Sequence, residues 1–346
     1  MTSSLPPPAS SPVPSVPPAR RGTPLIRAEK LRVEYRGRSG GGKVRALRDV
    51  DLEITEGETL GLVGESGCGK STLGRALLRV VEPAAGTIDF LGLNITTLRG
   101  TRLRRTRADM QMVFQDPFGS LNPRRTIADI VAEPLLRVRG ASRAEADRTV
   151  AELLRRVGLG SEDGARKPHE FSGGQRQRIG IARALASSPR FVVADEAVSA
   201  LDVSIQAQVL NLLSDLVRER GLTMLFISHD LGVVRHIADR VAVMYLGQIV
   251  ETASRDDFFS GPAHPYSSAL LSSVPSLRPS GRRERQVLEG DLPDPANPPD
   301  GCLFQTRCPF ADETCRTRMP ELTEFTPGRA VRCHKPLVST READPS

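Results

Sequence analysis

The run Gly64-Glu65-Ser66-Gly67-Cys68-Gly69-Lys70-Ser71 follows the apolar stretch Thr59–Val63 and leads through Thr72 into helix-forming sequence. Glycines at the first, fourth and sixth places let successive backbone N–H groups converge, and a helix start adds partial positive charge. That chemistry suits a chain of phosphates. In its strand–loop–helix setting the spacing predicts a P-loop, with Lys70 reaching the β- and γ-phosphates of a nucleotide and the Ser71 hydroxyl on Mg²⁺. A second apolar run, Phe191–Ala194, ends in Asp195-Glu196. Beside a P-loop, Asp195 reads as a Mg²⁺ ligand and Glu196 as the general base for an attacking water. A third segment, Phe171-Ser172-Gly173-Gly174-Gln175, opens another helical stretch and offers a second phosphate-facing helix N-terminus. Two separate cradles in one chain are explained if the second serves a nucleotide held by another subunit.

These groups need a scaffold. Thr59–Val63, Phe191–Ala194 and Thr223–Ile227 read as buried strands. Between the last two, Ile205, Val209, Leu212, Leu213, Leu216 and Val217 share one helical face, and Gly221 supplies the stop. Ser142-x-x-Glu145 is a capping box opening a helix that continues through Val150, Leu153, Leu154 and Val157. Strands alternating with helices predict a parallel sheet covered on both faces, with ligands at the carboxyl ends of its strands.

The chain has 346 residues, enough for two or three domains. Its 48 Lys+Arg against 41 Asp+Glu leave a net charge of +7. That surplus is diluted along the chain, and clusters such as Arg102, Arg104, Arg105, Arg107 and Arg282, Arg283, Arg285 read as solvated faces. With three Tyr and no Trp to stack on bases, nucleic-acid binding is not expected. No apolar stretch has the roughly 20 residues that span a bilayer. The Pro-rich start has no apolar core of a signal peptide, so the chain is expected to stay in the cytoplasm. Residues 1–24 read as a disordered tail. Recurring prolines over 261–299 point to extended connecting chain, followed by a compact segment with four of the five cysteines.

Together these motifs resemble the ATP-binding subunit of an ABC transporter, over about Leu25–Glu251. Ser172–Gln175 is similar to the family's signature, with Phe171 where Leu is commoner. Gln115 in Val113-Phe114-Gln115-Asp116-Pro117 is similar to the Q-loop, Ser199-Ala200-Leu201-Asp202 to the D-loop, and His229 to the H-loop. Tyr35 stands where the family stacks an aromatic on adenine, although Gly37–Gly42 departs from the shortest members. Ala197-Val198 replaces the commoner Pro-Thr after Asp195-Glu196. Leu121-Asn122-Pro123-Arg124, Ser199–Gln208, His264-Pro265-Tyr266 and the cysteine tail look like the oligopeptide/dipeptide-importer branch.

The resemblance implies an α/β P-loop core with an N-terminal antiparallel β element (about Leu25–Thr59), a helical insert (about Thr126–Leu185) and a C-terminal cysteine-containing accessory segment. It divides the chain into an ATP-binding domain over 25–260 and an extension over 261–340. It implies MgATP hydrolysis that powers peptide import, or import of nickel or another small solute. Site residues carried over are Glu196, His229 and Gln115 for catalysis, Ser71, Gln115 and Asp195 for Mg²⁺, and Tyr35, Gly64–Thr72 and Ser172–Gln175 for nucleotide. Partners implied are a second, non-identical ATPase subunit, two permeases and an extracytoplasmic peptide-binding protein, with this chain peripheral on the cytoplasmic face of the membrane. Two rival readings fit less well. A soluble ABC ATPase acting on nucleic acid or ribosomes usually carries two cassettes or a long coiled insertion. A P-loop kinase or GTPase leaves Ser172–Gln175 unexplained, and no N-K-x-D motif is present.

Cys302, Cys308, Cys315 and Cys333 fall within 32 residues. Four clustered thiols in a reducing compartment read as a metal site. The spacing C-x5-C-x6-C-x17-C lacks the close pair of ordinary zinc sites and suits a [4Fe–4S] cluster better, as some members of this importer branch carry. Zinc, with His334 as a substitute ligand, and metal-free structural cysteines are the alternatives. Cys68 fills a variable position in the P-loop.

Overall fold

The computed structural model describes residue 22 and residues 24–36, 43–199, 201–273 and 292–337. Most of the expected tail over 1–24, the glycines 37–42, Ala200 and the arginines 282, 283 and 285 lie outside the described residues.

Among the described residues, twelve strands follow one another as β1 (Pro24–Arg36), β2 (Lys43–Thr55), β3 (Thr59–Val63), β4 (Ala85–Phe90), β5 (Leu93–Asn94) and β6 (Met110–Val113). They continue as β7 (Phe191–Asp195), β8 (Thr223–Ile227), β9 (Arg240–Tyr245), β10 (Gln248–Ser254), β11 (Thr323–Thr326) and β12 (Arg329–Val331). The larger sheet has the order β11-β12-β10-β9-β3-β8-β7-β6. Its β9-β3-β8-β7-β6 half is parallel, and the other three strands add antiparallel. Every residue of β3, β7 and β8 is buried, as expected where both faces of a parallel sheet are covered.

The second sheet, β2-β1-β4-β5, is antiparallel. It is the N-terminal β element expected from the sequence, completed by two strands that come after the P-loop helix. An apolar core joins this sheet to one face of the parallel sheet, with Leu73, Ala76 and Leu77 of helix Lys70–Leu77 between them. The helical insert covers the opposite face. Its helices Ile127–Pro134, Arg143–Arg156 and Gly173–Ala186 bury Ile130, Val131, Val150, Leu153, Leu154, Ile179 and Ile181. The capping box at Ser142 forms as the spacing requires, with Ser142 N–H donating to Glu145 Oε2 at 2.8 Å. Helix Val203–Arg220 ends at Gly221 in the left-handed conformation.

The expectation of extended chain from 261 to 299 needs correction, because Pro265–Ser272 is a helix. Pro265 stands in its first turn, where a missing N–H is harmless and the fixed φ already suits a helix, and the His264 ring accepts from Tyr266 N–H at 3.0 Å. The C-terminal extension is joined to the cassette's sheet and core. β12 pairs with β10, Arg332 N–H donates to Val250 O at 2.8 Å, and Leu303 and Phe304 join the main core. Glu251, fully buried in β10, ties it down by accepting from Ala263 N–H (2.7 Å) and His264 N–H (2.9 Å), with Arg329 3.5 Å away. His264 is buried as well, and burial pushes its imidazole down to about 3, so it caps as the neutral ring.

Candidate active site

The P-loop leaves the end of β3, which lies between β9 and β8 in the parallel part of the sheet. Gly64 and Gly69 have φ of +151° and +110°. A Cβ at Gly64 would lie 2.3 Å from Met244 O, and one at Gly69 would lie 2.6 Å from Ala46 O. Conformation and space both demand glycine at these two places. Lys70, starting the helix, is buried and donates from Nζ to the carbonyls of Gly64 (2.8 Å) and Glu65 (2.9 Å), spanning the loop. Cys68 is buried beneath it, and burial raises its thiol pKa, so it is an inert filler of the loop.

Strand pairing sets the acids beside the loop. β7 lies next to β8, and β8 next to β3, so Asp195 at the end of β7 comes level with Ile227. Ser71 Oγ donates to Asp195 Oδ1 at 2.8 Å. A hydroxyl and a carboxylate meeting at a P-loop form an oxygen donor set of the kind Mg²⁺ takes, so the residues fit that ion. Burial raises the Asp195 pKa, and the Ser71 bond works against that rise.

Glu196 has φ +46°, a left-handed conformation that costs a side-chain-bearing residue about 1–3 kcal/mol. Its N–H donates to Ile227 O at 3.0 Å, which holds the turn. The carboxylate is gripped at both oxygens. Gln115 Nε2 donates to Oε2 at 2.7 Å, and His229 Nδ1 lies 3.3 Å from Oε1. Two residues, 81 and 33 positions from Glu196 in sequence, thus meet at its carboxylate.

Ser172 caps helix Gly173–Ala186 in a capping box with Gln175, accepting from Gln175 N–H at 3.3 Å while Gln175 Oε1 accepts from Ser172 N–H at 3.0 Å. Among the described residues, no hydrogen bond or ion pair joins Ser172–Gln175 to Gly64–Thr72. A link does run to the Gln115 loop, since the buried Gln177 donates from Nε2 to Phe114 O at 3.3 Å. Tyr35 is 42% exposed near the end of β1, across from Val44 of β2, the strand whose Ala46 carbonyl abuts Gly69.

Two contacts to the loop were not legible in the sequence. Arg307 makes a two-pronged ion pair with Glu65, at 2.7 and 2.9 Å, across 242 residues. The Tyr266 hydroxyl accepts from Glu65 N–H at 2.9 Å. The only sequence signal was the His264-Pro265-Tyr266 motif, which gives no direction for its side chain.

Over residues 47–199 the chain matches the ABC transporter family, and over 250–315 the oligopeptide/dipeptide transporter C-terminal region. The oligopeptide transport ATP-binding protein AppF of Bacillus subtilis is 55% identical over 296 residues, covering 85% of this chain and 90% of that protein. The chain belongs to the ABC transporter ATP-binding family. A Brucella ovis protein named for peptide import and ATP binding is 54% identical over 312 residues, covering 90% of this chain and 98% of its own length. Among solved structures, the ATP-binding cassette MJ0796 as a dimer bound to ADP and Pi superposes with a TM-score of 0.62 at 30% identity, covering 67% of this chain and 99% of that one. This ABC ATPase thus has the cassette fold with the antiparallel β element that its sequence implied. No helix among the described residues is long and apolar enough to cross a membrane.

The ABC ATPase also gathers its cysteines. Cys302, Cys308, Cys315 and Cys333 line one narrow pocket with His264, Phe310 and His334, and all four are free thiols. Cys302 N–H donates to Cys315 O at 2.8 Å, so two of them are neighbours through the backbone. Burial raises the thiol pKa of Cys302 and Cys308 and pushes Cys333 up to about 11. Among the described residues, no three His, Cys, Asp or Glu side chains are set to hold one metal ion. His334 is drawn off, with Nε2 2.9 Å from Arg318 O.

Proposed function

We propose that this ABC ATPase powers the import of oligopeptides or dipeptides, as the ATP-binding subunit of a transporter with two permeases and an extracytoplasmic binding protein. The match to the peptide-transporter C-terminal region, which begins in β10 of the cassette's own sheet, is the observation that carries the reading. Both close relatives described above carry peptide transport in their names.

In the reading we favour, the Gly64–Thr72 backbone and Lys70 hold the phosphates, Tyr35 stacks on the adenine, and Ser71, Asp195 and Gln115 surround Mg²⁺. Bound MgATP supplies the phosphoryl group, with the metal offsetting charge that develops on it. Lys70 exchanges its loop carbonyls for phosphate oxygens. Glu196 takes a proton from the attacking water at its carboxylate, and Gln115 and His229 fix the direction of that carboxylate. Ser172–Gln175 faces the nucleotide of a second, non-identical cassette, so each site is completed across an interface. A groove with the exposed Phe114 and Val80 opens beside Gln115, and we assign it to the permease. The ATP-binding part extends over 25–260 and the extension over 261–340.

The expected result is ATP-dependent uptake of labelled peptide into vesicles carrying the assembled transporter. ATP hydrolysis stimulated by a nickel complex and not by peptide would transfer the engine to another cargo.

For the cysteine pocket we favour a [4Fe–4S] cluster over zinc. Four thiols line one cavity, and their spacing lacks the close pair of ordinary zinc sites. Its role is structural, since metal binding would fix a short segment with little core of its own. Anaerobically purified protein should be brown, with broad absorbance near roughly 400 nm. Colourless protein with one zinc per chain would reassign the metal, and metal-free protein with an ordered segment would remove it.

A further inference from the structure

Glu65 puts a carboxylate into the loop that must receive a polyphosphate, and a bare negative charge there repels the ligand. The structure meets that charge from the far end of the chain. Arg307 Nη1 and Nη2 lie 2.7 and 2.9 Å from the two Glu65 oxygens, fork to fork, and the Arg307 side chain is 6% exposed. Arg307 is itself held in a run of turns between Cys302 and Cys308, through Gln305 N–H to Cys302 O (3.1 Å) and Arg307 N–H to Phe304 O (3.0 Å). Phe304 packs on Tyr245 and Tyr266, with ring centres 5.3 and 5.4 Å apart. Tyr266 in turn accepts the Glu65 N–H. The start of the loop is therefore gripped by Lys70 on the Gly64 and Glu65 carbonyls, by Tyr266 on the Glu65 N–H and by Arg307 on the Glu65 carboxylate.

We propose that Arg307 is a positioning residue for the nucleotide: it neutralises Glu65 and fixes the entry to the phosphate loop, making the cysteine-bearing segment part of the ATP site. The inference rests on the reading of Gly64–Ser71 as the ATP-binding loop. It gives the C-terminal segment a direct hold on nucleotide affinity, through one side chain.

The test is equilibrium binding of MgATP to the full-length protein by calorimetry, alongside thermal melting. Arg307→Gln should weaken binding about tenfold, since it leaves Glu65 unpaired beside the phosphates. Adding Glu65→Gln removes the exposed charge and should restore affinity to within about threefold of wild type, a non-additivity expected only of directly coupled groups. Both variants lose the ion pair, so a purely structural role would lower melting temperature and affinity together in each. Arg307→Lys keeps the charge but not the fork and should weaken binding by about threefold, which keeps the proposal testable if the Gln variant does not fold. Lys335→Ala breaks the 2.8 Å pair with Asp312 in the same segment and should leave affinity unchanged. Wild-type affinity in Arg307→Gln, or a double variant no better than the single, overturns the proposal alone. Failure of the wild type to bind MgATP overturns the loop reading, and the proposal with it.

Discussion

Replacing Glu196 by Gln is expected to leave MgATP binding intact while lowering hydrolysis by about 10²–10⁴-fold, the contribution of a positioned general base. On the proposed reading Asp195 serves Mg²⁺ with Ser71, its hydrogen-bond partner, and Glu196 is the carboxylate left to act on water. Gln has almost the same shape and can keep a hydrogen bond to Gln115 after an amide flip, so the site's geometry survives and only the base is lost. Without turnover the nucleotide stays bound, and ATP-bound dimers should accumulate. Size-exclusion chromatography with and without ATP, beside a phosphate-release assay, reads both effects. Hydrolysis near the wild-type rate in the assembled transporter would place the base elsewhere.

Gly173→Asp should be as severe but separable in kind. Nothing lies within 4 Å of a Cβ at Gly173, and its φ is an ordinary one, so the fold tolerates the change. Its own P-loop is untouched, and binding of MgATP to the isolated chain should match wild type. In the closed dimer the new carboxylate would face the partner's γ-phosphate at a helix N-terminus that should offer N–H groups there. Loss of that electrostatic support, with repulsion added, should cut hydrolysis at the partner's site by about 10²-fold or more. Unchanged turnover in the assembled transporter would show that this corner does not complete the opposite site.

Most of the nucleotide site was readable because short, local rules specify it. Glycine spacing, an apolar run ending in two acids and a capped helix start each lie within about eight residues, and each fixes its own backbone. The strand order that brings them together follows from parallel pairing of buried runs. Gln115 and His229 had to be taken from the family resemblance, since their meeting at Glu196 depends on three separate loops. The C-terminal segment was the least legible. Its prolines suggested open chain, whereas Pro265 stands at a helix start and Tyr266 is buried against the phosphate loop. The Glu65–Arg307 pair has no local signature, because its meaning lies in a contact 242 residues apart. The cysteine spacing did announce that the four thiols gather at one place, but not that their pocket borders His264.

On the proposed reading, this P-loop becomes an ATPase only when a second cassette supplies the Ser172–Gln175 corner. The most direct measurement is the initial rate of ATP hydrolysis per chain as a function of protein concentration, with the oligomeric state followed by light scattering on the same samples. The rate per chain should rise with concentration as dimers form, and rise further on adding the partner ATPase and permeases. A high rate per chain that is independent of concentration, from protein shown to be monomeric, would contradict it.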